Sequence, residues 1–120
     1  MQIETQLSDQ VTRYLDLASA QVKLTAVNMA NVDTPGYKAM GMDFESEMRK
    51  AMTEVDSSAA ASPIQVKEEA GLIARPDGNN VSMDREGLTM AEAQLRFKTG
   101  VALLHEEYQK VLNAIHAQDK

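Results

Sequence analysis

The chain has no cysteine and no tryptophan, and only two Phe and three Tyr among its 120 residues. The missing cysteines exclude disulfides, thiolate catalysis and cysteine metal sites together. Scarce aromatics leave little to fill a sandwich or barrel, so an apolar fraction of 43%, mostly Ala, Val, Leu and Met, suits helices that bury narrow stripes. Basic residues are also in deficit, 12 against 18 acidic, giving a net charge of −6. That balance argues against binding a phosphate backbone, so nucleic acid is not an expected partner. No 18-residue apolar run occurs, so no transmembrane helix is expected. Met1 to Thr5 lacks a basic stretch followed by an apolar core, and no cleavable signal is expected either.

What is present is punctuated by Ala30-Asn31-Val32-Asp33-Thr34-Pro35-Gly36-Tyr37-Lys38. Pro35 lacks an N–H and biases Thr34 away from helical angles, so a helix arriving from the N-terminus ends by about Asp33. Pro35-Gly36 suits the centre of a type II turn, with Gly36 supplying the positive φ. Before it, Ile3, Leu7, Val11, Tyr14, Ala18, Val22, Thr25 and Met29 recur at helical spacing with an 11-residue repeat. This predicts one helix, roughly 40 Å long at 1.5 Å per residue.

After the turn, Asp43 is placed to cap a short helix carrying Phe44, Met48 and Met52 on one face. Residues 53–63 are small and polar and read as a linker. Ile64 to Lys67 alternates like a strand and Leu72-Ile73 is a second apolar pair, so a small hairpin, an extended arm or a segment ordered only by a partner all fit. Pro76-Asp77-Gly78-Asn79-Asn80 is a turn signal.

A second long helix is predicted from Ser82 or Asp84 to about Gln118, with Ser82 as N-cap. Met90, Gln94, Phe97, Val101, Leu104, Tyr108, Val111 and Ile115 form a heptad seam broken only by Gln94. Leu95, Ala102, Leu103 and Leu112 widen that face, which implies more than one neighbour. Gly100, inside the helix, marks a close helix approach.

The expected fold is therefore mainly α. Two long terminal helices, 1–33 and 82–120, pack antiparallel as one discontinuous, coiled-coil-like domain, around an irregular middle, 34–81, with a short helix and a small β arm. Such a pair buries only part of its apolar surface, and the rest must meet other copies or other proteins.

Sites with chemistry fare poorly. Asp77-Gly78-Asn79-Asn80 opens like a calcium loop but fails at Val81, Ser82 and Leu88. His105-Glu106-Glu107-Tyr108-Gln109 has Gln where a zinc-protease signature needs its second His. His105 and His116 lie about 16 Å apart along a helix and cannot share an ion. Glu68-Glu69, Glu106-Glu107 and Asp43-Glu45-Glu47 read as solvated faces. No nucleophile order, phosphate loop or cofactor motif is present, so no enzyme, cofactor or small-molecule substrate is expected.

Asn28-Met29-Ala30-Asn31-Val32-Asp33-Thr34-Pro35-Gly36-Tyr37-Lys38 closely resembles the Ala-Asn-x-x-Thr-Pro-Gly-Tyr motif of bacterial flagellar rod and hook proteins, where it also ends the N-terminal helix. Asp43-Phe44-Glu45, Asp77-Gly78-Asn79-Asn80-Val81, Asp84-Arg85-Glu86 and Met90-Ala91-Glu92, with the short length, resemble the members that build the cell-proximal rod. Residues 53–75 match nothing. The resemblance implies a structural subunit that leaves the cell through the flagellar type III export apparatus without a cleaved signal and assembles in the periplasm. It would pack with copies of itself, other proximal rod proteins and the ring–rod junction protein, and transmit torque from the membrane ring toward the hook. On this reading Asn28, Ala30, Asn31, Thr34, Pro35, Gly36 and Tyr37 make the helix-ending turn. Leu7, Val11, Val22, Met90, Phe97, Val101, Leu104, Tyr108, Val111 and Ile115 serve packing and assembly. On the residues alone, a soluble helical adaptor or export chaperone binding a partner helix is the alternative.

Overall fold

A computed structural model describes residues 6–53 and 62–119. Ile3 and most of the predicted linker lie outside them. The elements run α1 (Gln6–Ala30), β1 (Met40–Gly41), α2 (Phe44–Thr53), β2 (Lys67–Glu68) and α3 (Met83–Gln118). α1 and α3 lie antiparallel, since Asn28 near the end of α1 meets Glu86 near the start of α3, while Leu15 and Tyr14 meet Gly100. The molecule measures 70 × 26 × 18 Å.

Each helix boundary has a local chemical cause. α1 ends five residues before Pro35, with the Asn31 side-chain amide donating back to Val27 O at 2.8 Å. α2 begins after Asp43, whose carboxylate accepts from Ser46 N at 3.1 Å, and α3 after Ser82, whose hydroxyl accepts from Arg85 N at 3.4 Å. Such caps satisfy N–H groups that have no partner inside the helix.

The α1–α3 contact is narrow and made largely of small and polar groups. On α1 the buried residues are Ser8, Val11, Leu17, Ala18, Gln21, Thr25 and Asn28, and on α3 they are Glu86, Ala93 and Gly100. On α3 the buried line falls one residue ahead of the bulky heptad positions, on Ala93 and Gly100 rather than Gln94 and Val101. Helices approach closest where side chains are smallest, which leaves the bulky residues on the flank. Phe97, Val101, Tyr108 and Ile115 accordingly stay 43–49% exposed, and Met90, Leu104 and Val111 are half-buried. On α1, Val11 is buried, Val22 half-buried and Leu7 exposed.

α2 closes one side of this pair. The Phe44 ring packs edge-on against Tyr14 at 5.3 Å, and the Arg96 guanidinium of α3 lies 4.2 Å above it. The Phe44, Met48, Met52 stripe is only partly covered, and Met52 is exposed. The buried residue of α2 is instead Glu47, which the sequence reading had placed on a solvated face. Its carboxylate accepts from Lys50 Nζ at 3.1 Å and Gln65 N at 3.4 Å and lies 3.9 Å from the Arg13 guanidinium. Arg13 also donates to Ser62 O at 2.8 Å. Partners contributed from 13 and 65 could not be read from residues 43–47.

The sheet differs from the hairpin considered between 64–67 and 72–73. β2 pairs antiparallel with β1, Met40 opposite Glu68 and Gly41 opposite Lys67, so the arm folds back toward the first turn.

A Cβ at Gly100 would lie 2.7 Å from Leu15 Cδ2 and 3.0 Å from Tyr14 Cδ1. Gly100→Val is therefore expected to destabilise the hairpin by about 1–3 kcal/mol through overpacking, read as a lower urea midpoint of the helical circular dichroism signal.

Candidate functional site, two interlocked turns

The helix-ending motif forms the first turn. Tyr37 N donates to Thr34 O at 3.2 Å, and Gly36 takes φ +75°, as the third residue of a type II turn must. Thr34 Oγ1 donates to Asn31 Oδ1 at 3.0 Å. Ala30, Thr34, Pro35 and Gly36 face solvent, while Asn31 and Tyr37 are half-buried.

The second turn is Arg75-Pro76-Asp77-Gly78. Gly78 N donates to Arg75 O and Arg75 N to Asn79 O, both at 2.8 Å. Gly78 takes φ +85°, and Asp77 Oδ1 accepts from Asn79 N at 3.0 Å. The acidic and amide groups that opened like a calcium loop are thus bonded to their own backbone.

These turns dock on each other because antiparallel helices bring the end of α1 beside the start of α3. Gly36 N donates to Asp77 O at 2.8 Å and Asn80 N to Tyr37 O at 3.3 Å. Ala39 N donates to Asn80 Oδ1 at 2.6 Å. Asn79 is fully buried. Its side-chain nitrogen donates to Asn31 O and Thr34 O, each at 2.8 Å, and its oxygen accepts from Val81 N at 2.8 Å. Arg75 donates to Val32 O and Val81 O, and Lys38 Nζ to Gly78 O at 2.6 Å. The backbones are so close that a Cβ at Gly78 would sit 3.3 Å from Gly36 Cα.

Beneath the turns, buried Asn28 joins four segments. Its side-chain oxygen accepts from the Tyr37 hydroxyl at 2.9 Å and Met40 N at 3.1 Å. Its nitrogen donates to Met40 O at 2.7 Å and Glu86 Oε1 at 3.2 Å. Glu86 is buried, and its Oε2 accepts no hydrogen bond from the described residues. Burial pushes the Glu86 carboxyl above its ordinary value, with Glu69 adding to the shift and Asn28 and Arg85 opposing it. Burial, then the Glu86 charge, raises the Tyr37 hydroxyl too.

The sequence reading named the first turn but not its partners Arg75, Asn79 and Glu86. The available signal was topological, because two turns flanking the facing ends of antiparallel helices must meet. Among the described residues no three His, Asp or Glu side chains converge to hold a metal ion, and no helix is long and apolar enough to cross a membrane. The chemistry of the site is hydrogen bonding spent on holding backbone in place.

The turn that closes this helical hairpin carries the motif that resembles the axial proteins of the bacterial flagellum. The chain is 34% identical to the flagellar basal body rod protein FlgB of Cereibacter sphaeroides (strain ATCC 17029), over 87% of this chain and 89% of that protein. It is 29% identical to that of Salmonella typhimurium, over 84% and 86%, and 28% identical to that of Escherichia coli K12, over 86% and 88%. No family model matches it. The chain belongs to the flagellar basal body rod protein FlgB family.

Two substitutions separate backbone from charge at this site. No atom lies within 4 Å of a Cβ built at Gly36, so Gly36→Val meets only the backbone penalty of positive φ, about 1–2 kcal/mol. Gly36→Asn, which tolerates that region, should cost less, and the two thermal melts compared give the difference. Glu86→Gln tests the buried carboxyl. Because its folded pKa is raised, ionising Glu86 removes stability as pH climbs from the ordinary carboxyl range through the raised value. The Gln variant should thus melt above wild type at pH 7, and the gap should close as pH falls below the ordinary carboxyl range.

Proposed function

We propose that the chain is a structural subunit of the cell-proximal flagellar rod, self-assembling through its terminal helices and carrying torque from the membrane ring toward the hook. The observation that carries this reading is the uncovered apolar flank of α3. Phe97, Val101, Tyr108, Leu112 and Ile115 are each 43–49% exposed beside a helix contact made of smaller residues. A second helix laid along that flank would remove a continuous apolar strip from water, at about 25 cal/mol per Å². The relatives that the chain resembles in sequence are named as basal body rod proteins, which supplies the setting.

On this reading the work is mechanical and no residue performs catalysis. The packing set is Leu7, Val11, Val22, Met90, Phe97, Val101, Leu104, Tyr108, Val111 and Ile115, divided between the contact within the chain and contacts with neighbours. The turn set is Asn28, Ala30, Asn31, Thr34, Pro35, Gly36 and Tyr37, which fixes where the axial helix stops. Neighbours would be other copies, other proximal rod proteins and the ring–rod junction protein. The route would be the flagellar type III export apparatus, without a cleaved signal, to a periplasmic position.

Val101→Asp tests this reading. Val101 is 48% exposed in the single chain, so the variant's melt should stay within about 0.5 kcal/mol of wild type. In an assembled rod the same charge would be buried without a partner. Bacteria carrying it should export the protein yet lack rods and fail to swim; normal rods would overturn the assignment.

A further inference from the structure

Two acidic side chains are folded inward where the short β ladder meets the joint between the helices. Glu86 is 1% exposed, and its Oε1 accepts from Asn28 Nδ2 at 3.2 Å. Asn28 also holds both backbone groups of Met40 in β1. One residue further along β1, Gly41 has no side chain, and Glu69 fills the space that one would need. A Cβ there would lie 2.7 Å from Glu69 Cγ and 2.9 Å from its Oε1. Laid over the strand in this way, Glu69 places its Oε2 3.6 Å from Arg85 Nε at the start of α3. Oε2 of Glu69 and Oε2 of Glu86 are both buried, and neither accepts a hydrogen bond from the described residues.

The charges around this pair do not balance. Asn28 of α1 is neutral, and so is the Tyr37 hydroxyl of the first turn below about pH 10. The charged groups that act on Glu86 are Glu69 from the arm and Arg85 from α3, and the Arg85 side chain is 51% exposed. The cleft that Glu69 and Arg85 line also carries Asp43, Glu47, Lys50, Lys67 and Glu68, which add no surplus of positive charge. With both carboxyls ionised, two inward-facing anions therefore share one half-exposed guanidinium. Burial and Glu69 both favour the neutral form of Glu86, so closing the arm over it takes up a proton, and the closed form loses stability as pH rises through the raised value.

The part of the structure that yields is the one held least. α1 and α3 meet from Asn28 and Glu86 to Tyr14 and Gly100. The arm is held to β1 by two residue pairs and by Glu69 N donating to Ala39 O, and so small a two-stranded ladder is marginal in water. We propose that Glu69 and Glu86 form a pH-operated latch, in which the arm lies closed on the joint while Glu86 is neutral and is released when Glu86 ionises. Lifting the arm admits water to Glu86 and takes the Glu69 charge away from it, and the helical hairpin stays paired.

Glu86→Gln keeps the neutral form at every pH. At pH 8, amides of residues 66–70 in the full-length chain should exchange with deuterium about fivefold faster in wild type than in Glu86→Gln, and about equally below the ordinary carboxyl range. The faster exchange should not respond to low urea, because a local opening exposes little surface. In a Glu69→Gln background the effect of replacing Glu86 should fall to about twofold or less, because the repelling charge is gone. Equal exchange at pH 8, a ratio undiminished without the Glu69 carboxylate, or a urea dependence as steep as that of the α3 amides would overturn the latch.

Discussion

The fold depends on Asn79. Its buried side-chain amide donates to two carbonyls of the turn that follows α1, Asn31 O and Thr34 O, each of which also accepts a backbone N–H within that turn. The same side chain accepts from Val81 N just ahead of α3. One residue thus ties the exit of one long helix to the entry of the other. Burying such an amide is favourable only when its hydrogen bonds are made, so the arrangement tolerates little displacement. The glycines at 36 and 78 follow from it, because the two backbones must come close enough for the amide to span them.

From that joint the rest of the molecule can be ordered. Asn28 and Glu86 continue the polar contact one layer down. Further along, the interface turns to Thr25, Gln21, Ala18, Ala93 and Gly100, small or polar groups that bring the helices close while covering little apolar area. α2 and the arm fasten one side through Phe44 and Glu47. Most of the chain's larger apolar side chains therefore stay outside the contact between its own helices. Gly100 is buried at that contact while Phe97, Leu103 and Leu112 stay exposed beside it.

Much of the architecture was legible in the sequence. Pro35, Asp43 and Ser82 mark helix boundaries by chemistry local to a few residues, and the helical periods on both sides are long. Gly100 was readable as a close approach because glycine inside a good helix lacks a local reason. The buried face of α3 was not legible, because periodicity marks all the apolar surface of a helix and not the part that one partner covers. Phe97 and Val101 fit the pattern; Ala93 and Gly100 are the residues buried. Glu47, Glu86 and Asn79 escaped for a related reason, since a carboxyl or amide is buried when partners from distant segments reach it. Their identity lies in the topology, and no window of sequence around 47, 79 or 86 contains it.

The hydrogen bond from Asn28 to Glu86 spans 58 positions of sequence. Closing a loop of that length costs on the order of 3–4 kcal/mol in chain entropy before any contact across it forms. Neither half of the joint gains its partner's bonds until the other arrives, and until then the polar stripe of α1 bonds to water. Order at this end of the molecule therefore requires residues past Ser82 to come back and meet the first turn.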